Sequence, residues 1–205
     1  MKLILTCEHA FNTIPQEYQG LFINSEEILE SHRGYDPGAF DLFNELKDLA
    51  DFSSFQETGR LLVEVNRSKG HSNLFSEFTK KLSETSKTKL LGQYYFPYRD
   101  PVEKQISSLI GKGEKLLHFS VHTFTPSLND EIRNTDIGLL YDPARSAEKE
   151  FCINFKRNLK DQNPELKIRF NYPYLGKADG FTTYLRKIFP ENYIGIELEV
   201  NQKFV

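Results

Sequence analysis

Short apolar runs that alternate with segments of helical period constrain the fold of this chain more than any other feature. The runs are rich in β-branched and aromatic residues, which favours strands. They predict about six strands, at residues 3–7, 61–65, 116–121, 137–141, 168–170 and 194–200. Between them apolar residues recur at helical spacing, for example Ala39, Leu42, Phe43, Leu46, Leu49 and Ala50. This alternation predicts an α/β fold with helices on both faces of a mostly parallel sheet.

Three aspartate–proline pairs predict where helices begin. They are Asp36-Pro37, Asp100-Pro101 and Asp142-Pro143. The aspartate can cap free N–H groups, and a proline at the first helical position loses no hydrogen bond. The polar stretch 68–86 could form a further helix, with loops over the edge of the sheet.

Composition excludes several classes of partner. The 205 residues include 26 basic and 29 acidic side chains, well mixed and with a net charge of −3, so no basic surface for nucleic acid or an anionic membrane is expected. The only two cysteines, Cys7 and Cys152, form neither a disulfide framework nor a CxxC pair. The N-terminus lacks the pattern of a signal peptide, and no apolar run reaches about 18 residues. We therefore expect a single cytoplasmic domain over residues 1–205, while its oligomeric state stays open.

Polar side chains follow several of the predicted strands at the point where each strand ends. His9 follows the first strand, Asn66 and Arg67 follow the second, and His122 follows the third. In an open parallel sheet, ligands bind outside the carboxyl ends of the strands. These side chains are therefore expected at one edge of the sheet.

A divalent metal such as zinc in a catalytic site is held by two or three imidazole and carboxylate ligands, with one position open for water. His9 and His122 could supply the nitrogens. Asp36 could supply the carboxylate, although helix capping alone would also explain it. His32 could be a metal ligand in place of Asp36, or could bond one of the ligands. Two other histidines, one in a polar loop and one inside a strand, are interpreted as structural: His71 and His118.

Glutamates and arginines near the predicted strand ends are candidates for catalysis and anion binding. Glu197 and Glu199 are two residues apart on the last strand and point to one face. A glutamate there could take a proton from an attacking water, or both could lie on a solvated face. Arg67 and Arg133 are the candidate anion binders, because a guanidinium offers a fixed fork of donors to a carboxylate or an oxyanion.

The order of these residues resembles that of the N-formylglutamate amidohydrolase family. This family is similar in fold to the zinc carboxypeptidases and to the succinylglutamate desuccinylase and aspartoacylase group. The matching stretches are CEHAFNTIP, SHRGYDPGAFDL, LLVEVNRS, YYFPYRDPV, SVHTFTP, FNYPYLGKADGFTTYLR and IELEVNQKFV. The resemblance implies a three-layer α/β/α fold of the zinc-exopeptidase type, with a mostly parallel mixed sheet. It also implies a metal-dependent amidohydrolase that cleaves a small N-acyl amino acid by a metal-activated water.

The resemblance also implies roles for individual residues. His9, His122 and Asp36 correspond to the zinc ligands, with His32 as the alternative to Asp36. Glu199 corresponds to the catalytic base, with Glu197 as the alternative. The pair Asn66-Arg67 corresponds to residues that bind substrate. Apart from the resemblance, we expect Arg133 or Arg67 to pair with the substrate carboxylate, Arg67 to help stabilise the oxyanion, and Tyr174 to close over the site.

Two other functions stay open at this point. The chain could be a non-catalytic protein that binds a small acid on the same fold, or a metal-dependent peptidase or esterase. A nucleotide-binding function is disfavoured because no Gly-rich loop follows the first strand.

Overall fold

A six-stranded mixed sheet organises the chain, which the computed structural model describes over residues 1–205. The strands are β1 (Lys2–Cys7), β2 (Phe52–Phe55), β3 (Leu116–Phe124), β6 (Ile137–Leu140), β7 (Ile168–Phe170) and β8 (Tyr193–Asn201). Their order is β2-β1-β3-β8-β6-β7, and all neighbours are parallel except β6 and β8. A separate two-stranded hairpin is formed by β4 (Ser127–Leu128) and β5 (Glu131–Ile132).

Helices cover both faces of the sheet. They are α1 (Glu26–Leu29), α2 (Ala39–Leu46), α3 (Glu84–Leu90), α4 (Phe96–Gly111), α5 (Ser146–Gln162) and α6 (Phe181–Ile188). On one face, residues of α4 and α6 such as Ile106 and Leu185 pack in one core with Ile4 of β1. On the other, Phe43 of α2 and Cys152 of α5 pack in a second core with other residues of the same sheet. The predicted three-layer α/β/α architecture is therefore confirmed. No helix has both the length and the apolar character of a membrane span.

Five of the six predicted strands are present, but the prediction of a strand at 61–65 is wrong. That segment folds as turns, and Leu61 and Leu62 pack against Ile14 and Tyr18 outside the sheet. A short apolar run shows that a segment is buried but cannot show that it pairs with a strand. The edge strand β2 takes its place beside β1, and its sequence FSSF has too little apolar character to be predicted.

The aspartate–proline pairs do not begin helices. Helix α2 begins at Ala39, after Gly38 in the left-handed conformation at φ 78°, and the Asp36 side chain bonds His9 instead of capping the helix. Pro101 lies inside α4, and Asp142 makes a turn in which its carboxylate accepts the Ala144 N–H.

The polar stretch 68–86 is also mostly turns. Helix α3 begins only at Glu84, where the Ser83 hydroxyl caps it by accepting the Ser86 N–H.

Candidate active site

Three elements of the sheet and the loop before α2 bring the candidate residues together. His9 lies two residues beyond β1, and His122 lies near the carboxyl end of β3. Glu199 of β8 is paired with His122 in the strand register. Asp36 is placed beside His9 by its own backbone, whose N–H donates to the His9 carbonyl over 3.0 Å.

His9, Asp36 and His122 form a compact buried group. Asp36 Oδ2 lies 3.2 Å from His9 Nδ1 and 2.9 Å from His122 Nδ1. One ligand atom from each of the three residues lies within 4.8 Å of the others. His32 lines the same cleft but is not a member of this group. Between the two candidates for the carboxylate or third ligand, the geometry therefore favours Asp36.

The Nε2 atom of each histidine faces a different set of oxygen atoms. His9 Nε2 lies 2.8 Å from Glu64 Oε1, and the other oxygen of Glu64 accepts the Arg60 Nε–H over 2.7 Å. His122 Nε2 lies 2.9 Å from Ser120 Oγ and 3.3 Å from Glu8 Oε2. Each imidazole is therefore oriented through Nε2, with Nδ1 turned to Asp36.

Glu8 belongs to a fully buried hydrogen-bond network. Its two oxygens accept the hydroxyls of Tyr98, over 2.8 Å, and of Ser120, over 2.5 Å. The sequence interpretation included neither Glu8 nor Glu64 among the site residues. Their only sequence signals are positional, since Glu8 precedes His9 and Glu64 lies two residues before Asn66.

The charges in this group hold each other in their ionised forms. Burial by itself would raise the pKa of Asp36, but the two histidines lower it well below its usual range. Burial would likewise raise the pKa of Glu8 and Glu64, but His122 in the first case and Arg60 with His9 in the second lower both. In turn, the carboxylates raise the pKa of His122 well above its usual value despite burial.

Glu199 is the carboxylate without a partner. It is 4% exposed, and its Oε2 accepts no hydrogen bond. Burial raises its pKa to about 8, against the opposing effect of His122. Glu197 lines the same cleft, as the spacing of two predicts, but its Oε1 accepts the Thr182 hydroxyl over 2.7 Å.

The group opens into a cleft of about 660 Å³, within the range of small-molecule sites. Three of the four residues predicted to bind substrate line it: Asn66, Arg67 and Tyr174. Arg133 lies against the ring of Tyr174, with its guanidinium carbon 5.2 Å from the ring centroid. Neither Arg67 nor Arg133 has a carboxylate within 4.0 Å, so neither guanidinium makes an ion pair.

Fold and site together define a three-layer α/β/α protein with buried histidine and carboxylate groups at one edge of its sheet. The family model for N-formylglutamate amidohydrolase matches residues 1–205, and the chain belongs to that family. The predicted family resemblance is thereby confirmed. No curated protein matches the chain.

Two crystal structures have a similar fold. A gene product from Agrobacterium tumefaciens has a TM-score of 0.82 and 24% identity, covering 98% of this chain and 81% of its own. An N-formylglutamate amidohydrolase from Ralstonia eutropha JMP134 has a TM-score of 0.75 and 14% identity, covering 98% of this chain and 82% of its own.

Proposed function

We propose that the chain is a metal-dependent amidohydrolase that cleaves the amide of a small N-acyl amino acid such as N-formylglutamate. Its family supports amide hydrolysis. The observation that carries the metal dependence is the convergence of His9, His122 and Asp36, with both Nδ1 atoms turned to one carboxylate oxygen. Its cytoplasmic location stays a prediction.

The donor set fits a divalent cation in chemistry and in charge. An imidazole that donates its Nε2–H to an oxygen keeps a lone pair on Nδ1, and this form binds metal ions. Metal binding would displace the extra proton from each histidine. With both histidines then neutral, the three carboxylates of Asp36, Glu8 and Glu64 stand against the single guanidinium of Arg60, an excess of two negative charges. A divalent ion such as zinc, held by His9, His122 and Asp36, would supply a Lewis acid that polarises a carbonyl and acidifies water.

Glu199 is the proposed general base. Its free Oε2 would take a proton from the attacking water as the water oxygen bonds to the amide carbon. The same atom would then deliver that proton to the leaving nitrogen as the carbon–nitrogen bond breaks, giving a carboxylate and an amino acid. A cation beside the ligands would favour the ionised form of Glu199 and lower its pKa from about 8.

The guanidinium groups of Arg67 and Arg133, which make no ion pair, are proposed to bind the anionic parts of the substrate. Arg67 or Arg133 would pair with the substrate carboxylate, since a guanidinium binds carboxylates through two parallel hydrogen bonds. Arg67 would also help to stabilise the oxyanion of the tetrahedral intermediate. Asn66 would bind beside Arg67, and Tyr174, which is 47% exposed, would close over the bound molecule.

Hydrolysis of N-formylglutamate by zinc-loaded protein tests this proposal, with Glu197→Gln as the matched control for Glu199→Gln. Both variants replace a glutamate of β8 that faces the cleft. Glu199→Gln should bind metal normally and lower kcat by roughly 100-fold or more, the usual contribution of a general base. Glu197→Gln should retain a larger share of the activity. Turnover that survives in Glu199→Gln but not in Glu197→Gln would transfer the role of base to Glu197.

A further inference from the structure

Arg99 of α4 is a buried cation that no carboxylate neutralises. It is 3% exposed, and no acidic side chain lies within 4.0 Å of its nitrogens. An isolated charge is expensive to bury unless it is paired or hydrogen-bonded. The surroundings of Arg99 must therefore offset this cost by other means.

Three aromatic rings surround its guanidinium. The guanidinium carbon lies 4.2 Å from the ring centroid of Phe181, 4.5 Å from that of Tyr184 and 4.9 Å from that of Tyr95. Ring faces attract cations, and more strongly where water is excluded. The rings hold the guanidinium in one place without a counter-ion.

The hydrogen bonds of Arg99 go to the segment 64–67. Its Nη1 donates to the Val65 carbonyl over 2.8 Å and to the Arg67 carbonyl over 3.2 Å, on either side of Asn66. The Tyr95 hydroxyl donates to the Arg67 carbonyl over 2.8 Å. This segment belongs to no strand and so has no sheet hydrogen bonds to fix it.

The same group of residues also fixes the Asn66 side chain. Asn66 Oδ1 accepts the backbone N–H of Phe181, whose ring packs on Arg99. The backbone before and after Asn66 and its side chain are thus all tied to α4 and to the start of α6.

We infer that Arg99 is a positioning residue that holds segment 64–67 through the Val65 and Arg67 carbonyls, so that Asn66 and Arg67 face the cleft. This inference rests on the proposed function for the substrate-binding roles of Asn66 and Arg67. Arg99 itself does not line the cleft, so it acts through the segment and not on the substrate.

Two tyrosine variants test the inference without disturbing the buried charge. Tyr95→Phe removes the hydroxyl that bonds the Arg67 carbonyl, while Tyr184→Phe removes one that bonds Glu103 instead. Both keep the ring that packs on Arg99. Tyr95→Phe should speed hydrogen exchange of the amides at 64–68 and raise KM for N-formylglutamate about threefold, as expected for one hydrogen bond. Tyr184→Phe should change neither.

Arg99→Met and Arg99→Lys extend the test to the guanidinium. Arg99→Met should speed amide exchange at 64–68 and raise KM by about tenfold or more, the usual effect of losing a charged hydrogen bond, with kcat and zinc affinity little changed. Arg99→Lys keeps a charged donor, so its amide exchange and its KM should lie between those of the wild type and of Arg99→Met.

Exchange and kinetics distinguish the possible failures. Unchanged exchange at 64–68 in Tyr95→Phe and Arg99→Met would overturn the positioning role, whatever the activity. Faster exchange with an unchanged KM would show that the segment does not bind substrate. A wild-type chain without turnover would overturn the proposed function, and the exchange data would still decide the role of Arg99.

Discussion

The residues that surround His9 and His122 determine what these histidines can bind. Each has a nitrogen turned to Asp36 and another turned to Glu64 or to the Ser120–Glu8 pair. Oxygen atoms that bond the nitrogen of a histidine facing away from the metal, as those of Glu64, Ser120 and Glu8 do here, fix the tautomer and the orientation of an imidazole ligand. The affinity for a divalent cation should therefore depend on residues that do not touch the cation.

Glu8→Gln should weaken zinc binding by about tenfold or more, the usual effect of losing such a partner. The substitution keeps the shape of the side chain but removes the charge that holds Ser120 and His122. Competition against a chelator of known affinity would measure the change, with the exposed Glu165→Gln as control. Equal zinc affinity in the wild type and in Glu8→Gln would contradict this account of His122.

Residue identity and position predicted the inner part of the site but not its surroundings. His9 and His122 were predictable because each lies where an apolar run ends. Glu8 and Glu64 were not, because a glutamate beside an apolar run has the same sequence signal whether it is buried or solvated. Glu8 is bonded by Tyr98 and Ser120, which come from distant parts of the chain. Glu64 is bonded by Arg60, four residues before it, and by the distant His9.

At the scale of elements, β6 lies tightly between β8 and the segment that carries Tyr174. Gly138 of β6 pairs with Glu199, and a Cβ placed on it would lie 2.0 Å from the Tyr172 carbonyl oxygen and 3.2 Å from Glu199 Cβ. Only glycine allows this approach of backbone to backbone. The wall of the cleft thus depends on a residue without a side chain.

Gly138→Ala should lower the free energy of unfolding by about 2 kcal/mol or more, in the range of overpacked cores. It should also displace the segment that carries Tyr174. Urea unfolding measures the first effect, and a shift of the Tyr174 resonances by NMR would report the second. Gly111→Ala is the control, because its Cβ would meet nothing within 4 Å at the end of α4. Equal stability of the two variants would contradict the close contact.

Strands at the centre of the sheet were predictable from their apolar sequence. Segments whose conformation depends on contacts with distant residues were not. Strand β3, buried throughout, and strand β8 were predictable from their residues alone. The segment 61–65 is just as apolar, but it pairs with no strand, and its Val65 carbonyl accepts a hydrogen bond from Arg99 instead. Local sequence carries no signal for such distant donors.

At the scale of the whole molecule, a buried histidine makes stability depend on pH. His118 of β3 is fully buried, and its two nitrogens lie 2.7 Å from Thr6 Oγ1 and 2.7 Å from the Tyr193 hydroxyl. This agrees with the structural role expected from sequence. Burial lowers its pKa from 6.5 to about 4.

The sign of the effect follows from proton uptake. Between pH 6.5 and 4 the unfolded chain binds a proton at His118 and the folded chain does not. The contribution of His118 to stability should therefore be complete above pH 6.5, fall with pH, and be lost by pH 4, a change of about 3 kcal/mol. In urea titrations, the difference in unfolding free energy between the wild type and His118→Gln should fall by about 3 kcal/mol as the pH is lowered from 6.5 to 4. A difference that is constant with pH would contradict the buried neutral state.

His9, His122 and Asp36 are proposed to bind a catalytic metal ion. Elemental analysis of untagged protein, after reconstitution with zinc and removal of excess metal, would measure how much zinc these residues hold. The account predicts about one ion per chain in the wild type and in the control His71→Ala, and its loss in both His9→Ala and His122→Ala. A wild-type chain without metal, or both site variants with metal retained, would contradict the claim and favour a binding protein without metal chemistry.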